Sequence, residues 1–507
     1  MAAAHERRTW LDVCGEFGRR HGVNDDTLEA LMAFRSPQPR GGPPPPPEAP
    51  FDGTFEALER EAVPPDPDAI ARQLTAEVNP AQAGVFARRT VAVASILADL
   101  GSPDARVLRV GFLVRLAGIH GAGLPRARRV RALADYYYSL AARLRHGWGP
   151  DSGRHLEEMV SEIRWSSVEP GIEHATLDGL AEGAPVHANL LRIEPRRARI
   201  TVDDLTDATT GGTPLAFVVA TRAVAAVSGG YFLYSEDDIE PPSRRHDPVG
   251  LLMEDGVVLS PPTFSRGSLL IGPAGDVEIR VVSLRDVPIR IDGRPVEPSV
   301  VWNRATARVG PDEDSVAVVG PAVVAVGRSL PVPLNGFVAT GVDDGGPAFE
   351  VGAAVSYGPP RMASGRPAVA AVAGGPTIVR EGRAVLDMRA EDFWGSAPPI
   401  TFSQDETGDQ NLLARLAVGI DASRRLFLAA VDGRNVERAL GMTLGDVSRL
   451  MILLGCRDAI NLDGGSSKRM LVAGRIVDLP STEIIAGEAG LERVRPVHTA
   501  ILFQPSG

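Results

Sequence analysis

The segment Ala459-Ile-Asn-Leu-Asp-Gly-Gly-Ser-Ser-Lys468 ends an apolar, strand-like run on a carboxylate and follows it with two glycines, two hydroxyls and an ammonium. Glycine at a strand end lets the backbone turn sharply and approach a ligand that a side chain would block. The donors beyond it suit the oxygens of a phosphate or sugar phosphate. Two more glycine pairs sit in the same setting: Gly229-Gly230 after the run 223–227 and Ser228, and Gly374-Gly375 after the run 368–373. Three strand ends are therefore expected to carry close-approach backbone.

Elements that could position these loops are legible along the chain. Residues 1–40 read as a short helical segment, with Trp10, Val13 and Phe17 on one face, and 41–66 as a Pro-rich linker containing Pro43 to Pro47. From 67 to 165 the pattern is helical, over 69–78, 80–100, 104–120, 125–146 and 153–163. From 168 to 507 it changes to short apolar runs bounded by Gly, Pro and Asp. Strands are expected at 187–193, 199–202, 215–220, 223–227, 257–259, 277–282 and 316–326. One helix interrupts them, at 443–454, opened by a Thr443/Asp446 capping pattern and stopped at Gly455. The expected class is α+β: a large mixed β-sheet domain with few helices, preceded by a Pro-rich linker and an all-α N-terminal domain.

Composition narrows the function. The chain has 507 residues, 53 basic against 64 acidic for a net charge of −11, and Gly (54) plus Pro (42) make up about a fifth of it. That balance argues against a protein that coats nucleic acid, and leaves room for a local basic patch. Between Gly101 and Pro150 nine arginines meet two acids, Asp104 and Asp135, for a local charge of +7. Arg126, Arg128, Arg129 and Arg131 followed by Tyr136 to Tyr138 would allow a polyanion-binding face with an aromatic platform. The alternative is arginines on solvated faces that dock against acidic parts of the chain. Lys468 is the only lysine among the 53 basic residues. Two cysteines, Cys14 and Cys456, are too few for a disulfide framework, and no run reaches the length of a membrane span. A cytoplasmic protein without a membrane partner is expected. No His or Cys cluster has zinc-ligand spacing, so no metal or other cofactor is expected, although carboxylates could gather Mg²⁺ or Ca²⁺.

From 168 to 503 the chain resembles the phosphodiester glycosidase family. The resemblance rests on motifs in order: VSGGYF at 227–232, DPVGLLMEDG at 247–256, NGFVATG at 335–341, AGGPTIVREG at 373–382, ARLAVGID at 414–421, LAAVDGR at 428–434, GMTLGDVSRLMILLGCRDAINLDGGSS at 441–467 and RPVHTAI at 495–501. The family motifs usually carry Asn where this chain has Ser228, and a third glycine where it has Ser466.

The resemblance implies hydrolysis of a sugar from a sugar-1-phosphodiester, a small-molecule or glycan substrate. Because the departing phosphate is a weak base, cations that hold its charge matter more than a general acid, while one carboxylate activates water or attacks the anomeric carbon. Asp463 is the expected carboxylate, with Asp432 and Asp421 as rivals. Arg415, Arg434 and Lys468 are the expected phosphate clamps. Ser228, Gly229, Gly230, Tyr231, Gly374, Gly375, Gly464, Gly465, Ser466 and Ser467 complete the expected substrate site. The alternatives are a catalytically altered sugar-phosphate or nucleotide-sugar binding protein, suggested by Ser228 and Ser466, and polyanion binding through the Arg-rich helices.

Overall fold

The computed structural model describes residues 8–37, 48–64, 66–78, 80–119, 126–149, 151–206, 223–233, 246–341, 348–386, 388, 390–393, 410–435, 438–479 and 497–506. The Pro43 to Pro47 run and the expected strand at 215–220 lie outside them.

The N-terminal part is helical because its apolar residues recur every three to four positions and its starts are capped. Thr9, Asn24, Thr54, Asp66 and Ser102 each accept a first-turn backbone N–H through the side chain. The long helices Pro80–Leu100, Pro103–Ala117 and Arg126–His146 fall where the sequence placed them. The expected 41–66 linker contains a helix, Phe55–Glu61, that packs on them. Trp10, Val13 and Phe17 of the Trp10–His21 helix and Phe55 and Leu58 of the Phe55–Glu61 helix join Phe86, Val107, Leu108 and Tyr137 in one core. The tyrosines are part of that core. Tyr137 is buried and its hydroxyl accepts a 2.6 Å hydrogen bond from Arg115 Nη1, Tyr138 is buried, and the Tyr136 hydroxyl donates to the Ala30 carbonyl at 2.7 Å. An aromatic platform for bases is therefore corrected: the rings are spent on packing. The helical core also takes in Ala184 and Leu440 from the β region, which joins the two parts through apolar contact.

The C-terminal part is α+β, and the expected mixed sheet resolves into several antiparallel sheets. The largest has eight strands in the order Ser166–Glu169, Ile172–Ala181, Ala184–Ile193, Leu426–Val431, Arg415–Asp421, Cys456–Leu462, Thr377–Arg380 and Arg383–Ala384. Its central strands read as unbroken apolar runs because both faces are covered. Leu416, Val418, Leu428 and Ile460 face a core shared with two five-stranded sheets; Ala417, Ala429, Val431 and Ala459 face the Leu444–Leu453 helix. One of those sheets contains Met470–Val472, Ala225–Ser228 and Thr499–Pro505, the other Ala370–Ala373 and Arg266–Ile271. The expected run 316–326 is a hairpin, Ser315–Val319 and Ala322–Gly327, because Gly320 at φ 54° with Pro321 forms a turn. It belongs to a small two-sheet unit with its own core of Ile289, Ile291, Phe337 and Val355. Among the described residues no helix is long and apolar enough to cross a membrane.

Candidate functional site

Antiparallel pairing decides which expected residues meet. Arg415 opens its strand opposite Val431, and Leu416 lies opposite Leu462, so Asp432 and Asp463, each one residue past its own strand, emerge on either side of Arg415. Asp421 ends the same seven-residue strand, about 20 Å away. There it accepts hydrogen bonds from the Arg425 backbone N–H and Nε at 2.8 Å each, which removes it from the site.

The three glycine pairs converge on this edge, for a reason other than the one the sequence suggested. A Cβ on Gly230 would lie 2.1 Å from the Ala373 carbonyl oxygen, one on Gly374 2.4 Å from that of Asn461, and one on Gly464 2.7 Å from that of Ala414. The glycines let three strand ends touch. Several of their N–H groups serve that packing instead of a ligand: Gly229 donates to Thr499, Gly374 to Gly267, Gly375 to Asn461 and Gly465 to Ala414, at 2.7–2.8 Å. Gly230→Ala is expected to destabilise the fold by more than about 2 kcal/mol, because a backbone carbonyl cannot move aside as a flexible side chain would. Denaturant midpoints against wild type check this.

Tyr231 ties the converging loops together. Its hydroxyl donates to the Gly375 carbonyl at 3.0 Å and accepts from Asn461 Nδ2 at 2.7 Å. The Asp463 N–H donates to the Gly229 carbonyl at 3.2 Å, holding the carboxylate's backbone against the first loop. Burial, and after it the charge of Asp463, push the Tyr231 phenol above its ordinary range, so it remains a neutral donor. Of the three carboxylates put forward, Asp463 alone keeps partial exposure; Asp421 and Asp432 are buried. Arg415 is buried and oriented by two carbonyls, Nε to Met442 at 3.1 Å and Nη2 to Asn411 at 3.2 Å. Arg434 reaches the same loop: a Cβ on Gly465 would lie 3.6 Å from its Nη1.

The surroundings of Asp432 and Lys468 correct two expectations. The Lys468 side chain is 0% exposed, and its ammonium donates to Asp432, to Asp478 at 2.9 Å and to the Leu479 carbonyl at 3.2 Å. Three donors meet three acceptors, which leaves no hydrogen for a phosphate. Asp432, 1% exposed, also faces His187 Nδ1 at 2.5 Å and accepts the Leu479 N–H at 3.1 Å. It is the anchor of a buried ion network and not an attacking carboxylate. Ser228 is likewise internal: its hydroxyl accepts the Arg469 N–H at 3.0 Å. Ser466 and Ser467 are buried in the Gly465–Ser467 3₁₀ turn.

Sequence reasoning missed several residues. Arg266 is buried with its guanidinium 3.3 Å from the centroid of Phe393, and burial pushes it down to about 10. Glu391 is buried, accepts the N–H groups of Gly267 and Thr377 at 2.7 Å each, and abuts Gly375. Asn461 lies inside the quoted Ile-Asn-Leu-Asp run, where its proximity to Asp463 could have flagged it. Both cysteines are free and buried. Among the described residues no group of three or more His, Cys, Asp or Glu could hold a metal ion.

The fold and this converging edge define an α+β protein in which a partly exposed carboxylate, two buried arginines and the glycine turns share one end of a sheet. Residues 314–504 match the model of the family described as phosphodiester glycosidase, so the resemblance carried by the motifs holds for this region. An 81-residue stretch is 36% identical to N-acetylglucosamine-1-phosphodiester alpha-N-acetylglucosaminidase of Bos taurus, spanning 15% of this chain and 15% of the length of that curated relative. Among solved structures, a hypothetical protein from Synechocystis is similar with a TM-score of 0.45, 18% identity and coverage of 68% of this chain and 64% of that one. The zebrafish N-acetylglucosamine-1-phosphodiester alpha-N-acetylglucosaminidase catalytic domain, auto-inhibited by its pro-peptide, is similar with a TM-score of 0.41, 16% identity and coverage of 68% and 88%.

Proposed function

We propose that this chain is a hydrolase that cleaves the glycosidic C–O bond of a sugar-1-phosphodiester, with Asp463 as the carboxylate and Arg415 and Arg434 as the cations that receive the departing phosphate. The observation that carries this reading is Asp463 itself, partly exposed at a strand end, beside Arg415, Arg434 and a neutral Tyr231, within a region that matches the phosphodiester glycosidase family. A phosphate leaving group needs little protonation, and no second exposed carboxylate is required to supply a proton. Guanidiniums fixed in advance at the sheet edge stabilise the developing charge without reorganising. Asp463 serves as base toward water or as nucleophile toward the anomeric carbon, and the configuration of the released sugar separates the two.

A panel of UDP-sugars and sugar-1-phosphodiesters tests the reading. Release of free sugar is expected from at least one of them. Thermal stabilisation by a panel member without turnover would instead favour the sugar-phosphate binding alternative.

A further inference from the structure

The helical region places one carboxylate beside the site. Asp135, on the Arg126–His146 helix, is 4% exposed and pairs with Arg89 Nη1 at 2.5 Å, with Arg434 Nη2 at 3.5 Å and with Arg131 Nε at 3.8 Å. Burial alone would raise its carboxyl, yet Arg89, Arg434 and Arg131 outweigh that and hold it below the usual carboxylate range. Arg434 thus lies between Asp135 on one side and the Gly465 turn on the other. Its backbone is left-handed, at φ 57°, a conformation L side chains rarely adopt. Glycine would take it without strain, so the strained position presents a guanidinium. The loop that carries Arg434 is held by the same helices. Leu440, whose carbonyl accepts the Arg434 N–H at 3.3 Å, is part of the helical core. The neighbouring loop is tied as well: the Arg35 N–H donates to Gln410 Oε1 at 3.1 Å, and Gln410 Nε2 donates back to the Arg35 carbonyl at 2.9 Å.

We propose that Asp135 is a positioning residue of the β-domain site: the helical region supplies it as a buried carboxylate that holds the Arg434 guanidinium against the Gly464-Gly465 turn, where it meets the phosphate of the ligand. This rests on the reading of that turn as a phosphate site, and not on turnover. Arg434 can aim two edges of its planar fork at once, one to a fixed carboxylate and one to an anion, which a lysine could not do. The helical region is then part of the site and not an appended module.

Calorimetric titration of inorganic phosphate into the full chain tests this. Asp135→Asn and Arg434→Gln are each expected to weaken phosphate binding about tenfold, and the double variant to bind no more weakly than the worse single one, because both remove the same held guanidinium. A merely structural Asp135 would lower the melting temperature and leave the dissociation constant of the folded protein unchanged. Unchanged or tighter binding by folded Asp135→Asn, additive effects in the double variant, or no phosphate binding by wild type would each overturn the proposal. Should Asp135→Asn fail to fold, Asp135→Glu keeps the charge and shifts the carboxylate by one methylene. Severalfold weaker binding is then expected, and wild-type affinity would overturn it. Asp135-dependent phosphate binding without turnover of any phosphodiester would leave this inference standing and remove the hydrolase reading.

Discussion

Asp463→Asn is expected to lower kcat by about 10³-fold or more while leaving the melting temperature within a few degrees of wild type. The substitution keeps the shape of the side chain and removes the charge proposed to activate water or attack the anomeric carbon. The Asp463 N–H bond to the Gly229 carbonyl and the turn beyond it are backbone features that the substitution leaves in place. The Tyr231 phenol should also titrate lower in the variant, because Asp463 is the largest charge raising it. Kinetics on the panel member with the highest turnover, with a thermal melt of the same preparation, checks both halves. Full activity in folded Asp463→Asn would remove this residue from the mechanism.

Lys468→Met is expected to destabilise the protein by about 3–5 kcal/mol, because it leaves Asp432 and Asp478 buried without their shared cation. Lys468→Arg is expected to do almost as badly. A compact ammonium meets three acceptors arranged around a point, whereas a planar fork spreads its donors and does not fit a fully buried pocket. Denaturant unfolding followed by tryptophan fluorescence measures the loss. A phosphate clamp would behave in the opposite way, with stability intact and ligand affinity reduced. The only lysine of this arginine-rich chain is thus explained by the interior of the β domain and not by its substrate.

Local features were the ones legible in the sequence. The Leu444–Leu453 helix has the expected capping box, with Thr443 Oγ1 accepting the Asp446 N–H at 3.1 Å and Asp446 accepting the Thr443 N–H at 3.0 Å, because both halves lie within one turn. Glycine pairs correctly marked strand ends that converge, since a missing Cβ is needed wherever backbones touch, but the pattern cannot say whether a ligand or another strand is the neighbour. At Gly229, Gly374, Gly375 and Gly465 the neighbour is another strand, and the N–H groups serve backbone carbonyls.

Charge pairing was illegible because it depends on register. Nothing in the spacing says that Lys468 meets Asp432, 36 residues earlier, or that Asp421 is carried to the far end of its strand. Asp135 and Arg434 are 299 residues apart, and only docking of the helices on the β domain beside Leu440 brings them together. The one available signal was Asp135 itself, the single acid of a helix that carries six arginines.

The central claim is cleavage of the sugar's C–O bond with phosphate as the leaving group, and hydrolysis in H₂¹⁸O reads it directly. With a sugar-1-phosphodiester as substrate and products analysed by mass spectrometry, the account predicts ¹⁸O at the anomeric oxygen of the released sugar and none in the phosphate. Label in the phosphate, with the sugar retaining its original oxygen, would mean P–O cleavage and would contradict it.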